Sequence, residues 1–190
     1  VPSDLPLSQA AIAEPLAVVL KALRRVSKVF EGGRPLNAVV FGAGAIGHLA
    51  AKVLESRGHQ VTVIDKSQSR LEMLGGGIRT LLHSGDLAEY DLLVEATGNQ
   101  SALSRILAES ATGGTILLLG FPYTVEPFSF EGIVAFDRSV IGSVGSSSRD
   151  FAEALSLLPI LNVDRFVGSI FPLEQFERAW DRLREKRDLK

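Results

Sequence analysis

The chain has 190 residues, a net charge of −2 and no cysteine, which excludes disulfides and thiolate metal sites and makes a cytosolic (cytoplasmic) compartment the default. No charge excess points to nucleic acid or an anionic membrane. With 46% hydrophobic and 22% charged residues, the chain has the composition of a soluble globular domain of ordinary size rather than of a disordered segment.

No stretch reaches the ~18 apolar residues of a membrane span, and the N-terminus lacks the basic start of a signal peptide. The start at Val1 without Met, and the stop on Lys190 inside a charged run, read as cut ends. Residues 1–14 form a polar, small-residue lead-in. Pro15 suits a first helical position and biases Glu14 away from helical geometry. Leu16, Val19, Leu20, Leu23 and Val26 then fall at helical spacing, with Lys21, Arg24 and Arg25 off the stripe. This predicts an amphipathic helix ending near Val29, before the turn at 31–35.

Short apolar runs then alternate with amphipathic segments. Strands are predicted at 36–41, 61–64, 78–82, 91–95, 115–119 and 139–144. Between them helices are predicted at 45–56, 67–74, about 100–109 and 131–136, with a brief extended piece at 128–130. A further helix at 150–158 follows, begun by a capping pair of Ser147 and Asp150. Residues 167–171 read as extended, and a last helix puts Phe176, Ala179, Trp180 and Leu183 on one face. Strands alternating with helices imply right-handed crossovers and a parallel sheet covered on both faces. The expected fold is α/β, a doubly wound six-stranded parallel sheet in three α/β/α layers. Such sheets bind ligands at the carboxyl ends of their strands, where the strand order reverses.

The run Gly42-Ala43-Gly44-Ala45-Ile46-Gly47 leaves the first predicted strand and opens the helix after it. That context turns a weak glycine pattern into the pyrophosphate turn of a Rossmann domain. Gly42 allows the tight turn, Gly44 lets a phosphate approach the backbone, and Gly47 lets the helix pack on the strand, with the free amides of the helix end facing the phosphates. Asp65 ends the second strand, 23 positions beyond Gly42, where an acid accepts hydrogen bonds from the adenosine ribose and disfavours a 2′-phosphate. NAD is therefore expected. Lys66 and Arg70 nearby could accommodate that phosphate, so NADP stays open. Ala96, Thr97 and Gly98 after the fourth strand, and Leu119, Gly120 and Phe121 after the fifth, leave room for the cofactor. Ser143 and Val144 at the sixth could offer backbone groups to the nicotinamide carboxamide.

No residues form a catalytic set. His48, His59 and His83 are scattered through the predicted fold and read as surface or supporting residues, and no spacing marks a metal site. The run at 146–148 is a helix-capping polar loop rather than a nucleophile elbow. Glu14 reads first as an acid interacting with a helix dipole.

In order and spacing these motifs resemble the medium-chain, zinc-type alcohol dehydrogenases, nearest to the sorbitol, threonine and glucose dehydrogenase-like branches. The resemblance runs through Ala11–Val18, Gly42–Gly47, Val63-Ile64-Asp65 and Glu95–Gly98. It continues with Gly113-Gly114-Thr115, Leu119-Gly120 and Phe171–Glu174, then Ala179 and Trp180. It implies an oxidoreductase that passes hydride between a nicotinamide cofactor and an alcohol, polyol or sugar, with zinc as Lewis acid. It also implies a separate GroES-like catalytic domain, not contained in these residues, that supplies most zinc ligands. Glu14 matches the family acid at or near the zinc, a partial site because zinc takes three or four ligands.

On this basis residues 1–30 are the lead-in and linker helix, 31–172 the NAD-binding domain, and 173–190 a helix returning toward the catalytic domain. These residues alone are expected to bind the dinucleotide without catalysis and without zinc. The resemblance further implies a homodimer through 139–144. The stretch 73–90 is shorter than the family pattern and lacks its helix before the fourth strand. Two other readings are a nucleotide-sensing regulatory module and a zinc-free NADPH quinone reductase-like domain. Glu14-Pro15 and the ending at 171–180 argue against the first, and Asp65 against the second.

Overall fold

The computed structural model describes residues 1–3, 5–83, 85–122, 129–163 and 166–185. Its first half contains α1 (Leu7–Ala10), α2 (Ala13–Arg25), β1 (Asn37–Phe41), α3 (Ala45–Ser56), β2 (Gln60–Ile64), α4 (Gln68–Glu72) and β3 (Arg79–Leu81). The second half adds β4 (Leu92–Glu95), α5 (Gln100–Glu109), β5 (Thr115–Leu118), α6 (Glu131–Val134), β6 (Ser139–Gly142), α7 (Ser148–Leu161) and α8 (Phe176–Arg184). The six strands form one sheet in the order β3-β2-β1-β4-β5-β6, and every neighbouring pair is parallel.

Side chains alternate across the sheet as strand geometry requires. Ala38, Val40, Val63, Leu92, Val94 and Leu117 join α2, α3 and α7 in one core. Val39, Phe41, Ile64, Leu93 and Ile116 face Ile106 and Leu107 of α5 in the other. The predicted three-layer doubly wound sheet is the observed one. Its order reverses between β1 and β4, so the crevice for a ligand lies over the carboxyl ends of those two strands.

Several boundaries differ from expectation. α2 begins at Ala13, so Glu14 is helical. Its first bond runs from Leu16 N–H to the Ile12 carbonyl, which places Pro15 among the first amides, where a missing N–H and a bulky ring are tolerated. The apolar stripe from Leu16 to Val26 is buried as read, but α2 stops at Arg25 and Ser27–Phe30 tightens into a 3₁₀ turn. β6 ends at Gly142 rather than 144, because its partner β5 ends at Leu118, opposite Gly142.

The capping pair is real. Ser147 and Asp150 form a full capping box, so α7 starts at Ser148 and runs through Pro159 to Leu161. Between β3 and β4 the described residues form only bends and turns. Leu87 and Tyr90 from that stretch are buried in the second core. Residues 167–170 carry no strand, and the extended piece expected at 128–130 begins outside the described residues. In α8 the predicted apolar face forms, yet Phe176 and Trp180 remain 58% and 57% exposed. No helix among the described residues is long and apolar enough to cross a membrane.

Candidate functional site

At the end of β1, Gly42 adopts φ +100°, a region that favours glycine. A β-carbon there would lie 2.9 Å from Thr97 Cγ2 and 3.2 Å from the Ala96 carbonyl oxygen, so the turns after β1 and β4 touch across the switch point. A β-carbon on Gly47 would overlap the Gly42 carbonyl oxygen and stand 3.0 Å from its carbon. Above Gly44 the space is open. Gly42 thus makes the expected tight turn and Gly47 the expected close helix–strand packing, while Gly44 leaves its stretch of backbone bare.

Gly44 is the N-cap of α3 and offers no side-chain cap. The first helical bond joins His48 N–H to the Gly44 carbonyl at 2.9 Å. The amides of Ala45, Ile46 and Gly47 therefore end the helix without an intrahelical acceptor and present the positive end of its dipole. A cradle of bare backbone and open amides fits an anionic pyrophosphate.

Asp65 follows β2 and ties two turns together. Its Oδ2 accepts from Ala43 N–H at 2.7 Å and its Oδ1 from Ser67 N–H at 2.8 Å. Each carboxylate oxygen keeps lone-pair capacity for a hydroxyl donor, so the bridge remains compatible with a ribose diol. Lys66 is exposed and Arg70 half-buried, and the Arg70 Nε is buried without a hydrogen-bond partner. Ser67 caps α4 by accepting from Arg70 N–H.

The later turns interlock around an acid whose role sequence reasoning missed. Glu95 is buried. Its Oε1 accepts from Thr97 N–H at 2.7 Å, from Gly98 N–H at 3.1 Å and from the Thr97 hydroxyl. A β-carbon on Gly98 would meet the Phe121 carbonyl oxygen at 2.5 Å, and one on Gly120 would overlap Gly98 N and Glu95 Oε2. The readable signal was an acid closing an apolar strand just before Thr-Gly. Leu119 and Gly120 both donate their amides to the Glu95 carbonyl, at 2.8 and 2.9 Å. Ser143 N–H reaches back to the Leu118 carbonyl at 3.2 Å, which brings the residues after β6 to the same sheet edge.

Two expectations separate from this cluster. Glu14 is exposed on the first turn of α2. Among the described residues no group of three or more His, Cys, Asp or Glu side chains could hold a metal ion. His48 is not a surface residue: it is 3% exposed, edge-on to Phe166, with Nδ1 unpartnered. Burial, with Lys52 one turn on, lowers its pKa to about 4, so the imidazole is neutral near pH 7.

The chain matches the glucose dehydrogenase C-terminus family over residues 8–189. It is 33% identical over 191 residues to glucose 1-dehydrogenase of Thermoproteus tenax, covering 90% of this chain and 55% of that protein. It is 34% identical over 166 residues to D-altritol 5-dehydrogenase of Agrobacterium fabrum, covering 82% and 48%. The chain thus spans about half the length of the curated relatives it matches. Among solved structures, the Haloferax mediterranei glucose dehydrogenase in complex with NADP, Zn and gluconolactone shares the fold, with TM-score 0.75 and 22% identity over 93% of this chain and 57% of that one. The sequence motifs, the sheet order and these matches agree: the chain belongs to the glucose dehydrogenase C-terminus family, the C-terminal cofactor-binding domain of the zinc-type medium-chain dehydrogenases.

Proposed function

We propose that this chain holds the dinucleotide for a zinc-dependent dehydrogenase that moves hydride between a nicotinamide cofactor and an alcohol, polyol or sugar. The observation that carries the reading is the Asp65 bridge. One carboxylate grips the glycine turn through Ala43 N–H while the amides that open α3 stay free beside it. In this reading Gly42, Gly44, Ala45, Ile46 and Gly47 take the pyrophosphate and Asp65 the adenosine ribose. The turns at Ala96-Thr97-Gly98 and Leu119-Gly120-Phe121 line the path toward the nicotinamide, and Ser143 and Val144 offer it backbone groups. When bound, the nicotinamide supplies the hydride acceptor and zinc the Lewis acid, while this chain's residues bind and orient.

NAD is the preferred cofactor in this reading, because Asp65 sets a negative charge where a 2′-phosphate would lie. The alternative, NADP, is favoured by Lys66 and by the unpartnered Nε of Arg70, and a relative of known structure binds NADP. Titration calorimetry with NADH and NADPH separates the two. Tighter NADH binding that reverses in Asp65→Asn is the expected result, and no saturable binding of either dinucleotide sinks the reading.

Glu14 is proposed to stand at or near the zinc, directly or through water, with the other ligands supplied from outside these 190 residues, since zinc takes three or four. The match to about half of each relative supports the expectation that these residues alone bind dinucleotide without oxidising alcohol. Within the chain we propose residues 1–30 as the junction, 31–172 as the cofactor-binding unit and 173–190 as the returning helix. β6 is an edge of the sheet, and we propose that it pairs with its copy in a homodimer. A cytosolic setting suits a chain without cysteine.

A further inference from the structure

The segment between β6 and α7 has little of its own to fix it. Val144, Gly145, Ser146 and Ser147 are exposed, and Gly145 turns the chain at φ +69°. The last bond tying the segment to the sheet is Ser143 N–H to the Leu118 carbonyl, at 3.2 Å. Beyond it, two side chains of α2 grip the segment, one near each end. Lys21 Nζ donates to the Val144 carbonyl oxygen at 2.7 Å. One turn further along α2, the Arg24 guanidinium pairs with Asp150, whose carboxylate accepts from Ser147 N–H at 2.8 Å in the capping box of α7.

Lys21 is an unusual clamp. Its partner is a neutral carbonyl 123 positions away, and among the described residues no carboxylate lies within ion-pair distance of it. A charge-assisted bond to a carbonyl is stronger than a neutral one, and holding a long side chain in one rotamer is entropically costly. The segment it holds follows the carboxyl end of β6, on the opposite side of the switch point from Asp65.

We propose that Lys21 is a positioning residue for the nicotinamide end of the dinucleotide: through the Val144 carbonyl it fixes the backbone against which the carboxamide is read. This rests on the dinucleotide reading above. Lys21→Met keeps the apolar stem and removes the charged donor; Lys21→Arg keeps a donor. Calorimetry on the full chain compares NADH with ADP-ribose, which lacks the nicotinamide; if NADPH is the tighter ligand, the pair is NADPH and 2′-phospho-ADP-ribose. Lys21→Met is expected to weaken the dinucleotide about tenfold, a loss of about 1.4 kcal/mol, while the affinity for the truncated ligand stays within about twofold. Lys21→Arg is expected to regain most of the loss. Equal losses for both ligands are what a merely loosened α2 gives, and they overturn the positioning role. Unchanged affinities for both overturn it too. A wild-type chain that binds neither ligand removes the dinucleotide reading itself, and this inference with it.

Discussion

Gly47 faces the Gly42 carbonyl so closely that a β-carbon has nowhere to go. The obstacle is backbone, which cannot swing aside as a side chain can. Gly47→Ala therefore forces α3 off β1 and is expected to destabilise the chain by about 1–3 kcal/mol, with weaker dinucleotide binding. A urea midpoint equal to wild type would show that the helix backs away at no cost. The glycines and Asp65 were legible in the sequence because backbone geometry demands those residue types at a nearly fixed spacing. Glu95 was less so, since its partners are amides two and three residues on and any carboxylate at a strand end looks alike. Lys21, Arg24 and Arg138 gave no signal. Arg138 is buried, with its guanidinium donating to carbonyls of Leu107, Ser110, Ala111 and Gly132, a contact set that no local pattern encodes.

Among the elements, α3 has the bounds its apolar periodicity predicted, and α5 likewise. Their ends are set locally, by Gly44 before the first and by Asn99, whose side chain accepts from Ser101 N–H and Ala102 N–H, before the second. β6 was read too long because Ser143 and Val144 continue its pattern, while the ladder stops where its neighbour does. α7 was read too short at its C-terminus because the reading stopped just before Pro159. Its N-terminus depends on Asp150, which is fully buried. Burial alone would raise that carboxyl, but the Ser147 hydroxyl and amide and the Arg24 guanidinium outweigh it and hold the pKa at about 2. A carboxyl held below its ordinary 3.8 contributes stability that is complete above about pH 4 and fades as pH falls toward 2. Asp150→Ala is expected to cost about 3 kcal/mol at neutral pH. In urea titrations the gap between wild type and variant should narrow between pH 4 and 2, and a constant gap would assign the loss to packing instead.

At the scale of the molecule, β6 leaves one side of the sheet unpaired among the described residues. Ser139 and Ser143 direct their amides to β5, at Gly114 and Leu118, so strand alternation turns the amides of Val140 and Gly142 to the open edge. Gly142→Pro removes one outward donor without touching the bond pattern to β5, and a β-carbon at 142 meets nothing within 4 Å. If the proposed dimer pairs through this edge, light scattering is expected to find the wild type dimeric and Gly142→Pro monomeric, with far-UV circular dichroism unchanged. A dimeric variant would move the interface elsewhere.

The grip of α2 on α7 also governs how the chain acquires its fold. Lys21 and Val144, and Arg24 and Asp150, meet across more than 120 positions of sequence. The apolar stripe of α2 is fully buried only in the core that includes Ala154, Leu158 and Leu161 of α7. Closing so long a loop carries an entropic cost before any contact repays it, and parallel sheets are already slow to assemble. During synthesis α2 emerges before α7 and waits, its stripe unpaired, until α7 has left the ribosome. Until then the stripe of α2 is a site of aggregation, and its docking is a late event gated by the arrival of residues near 160.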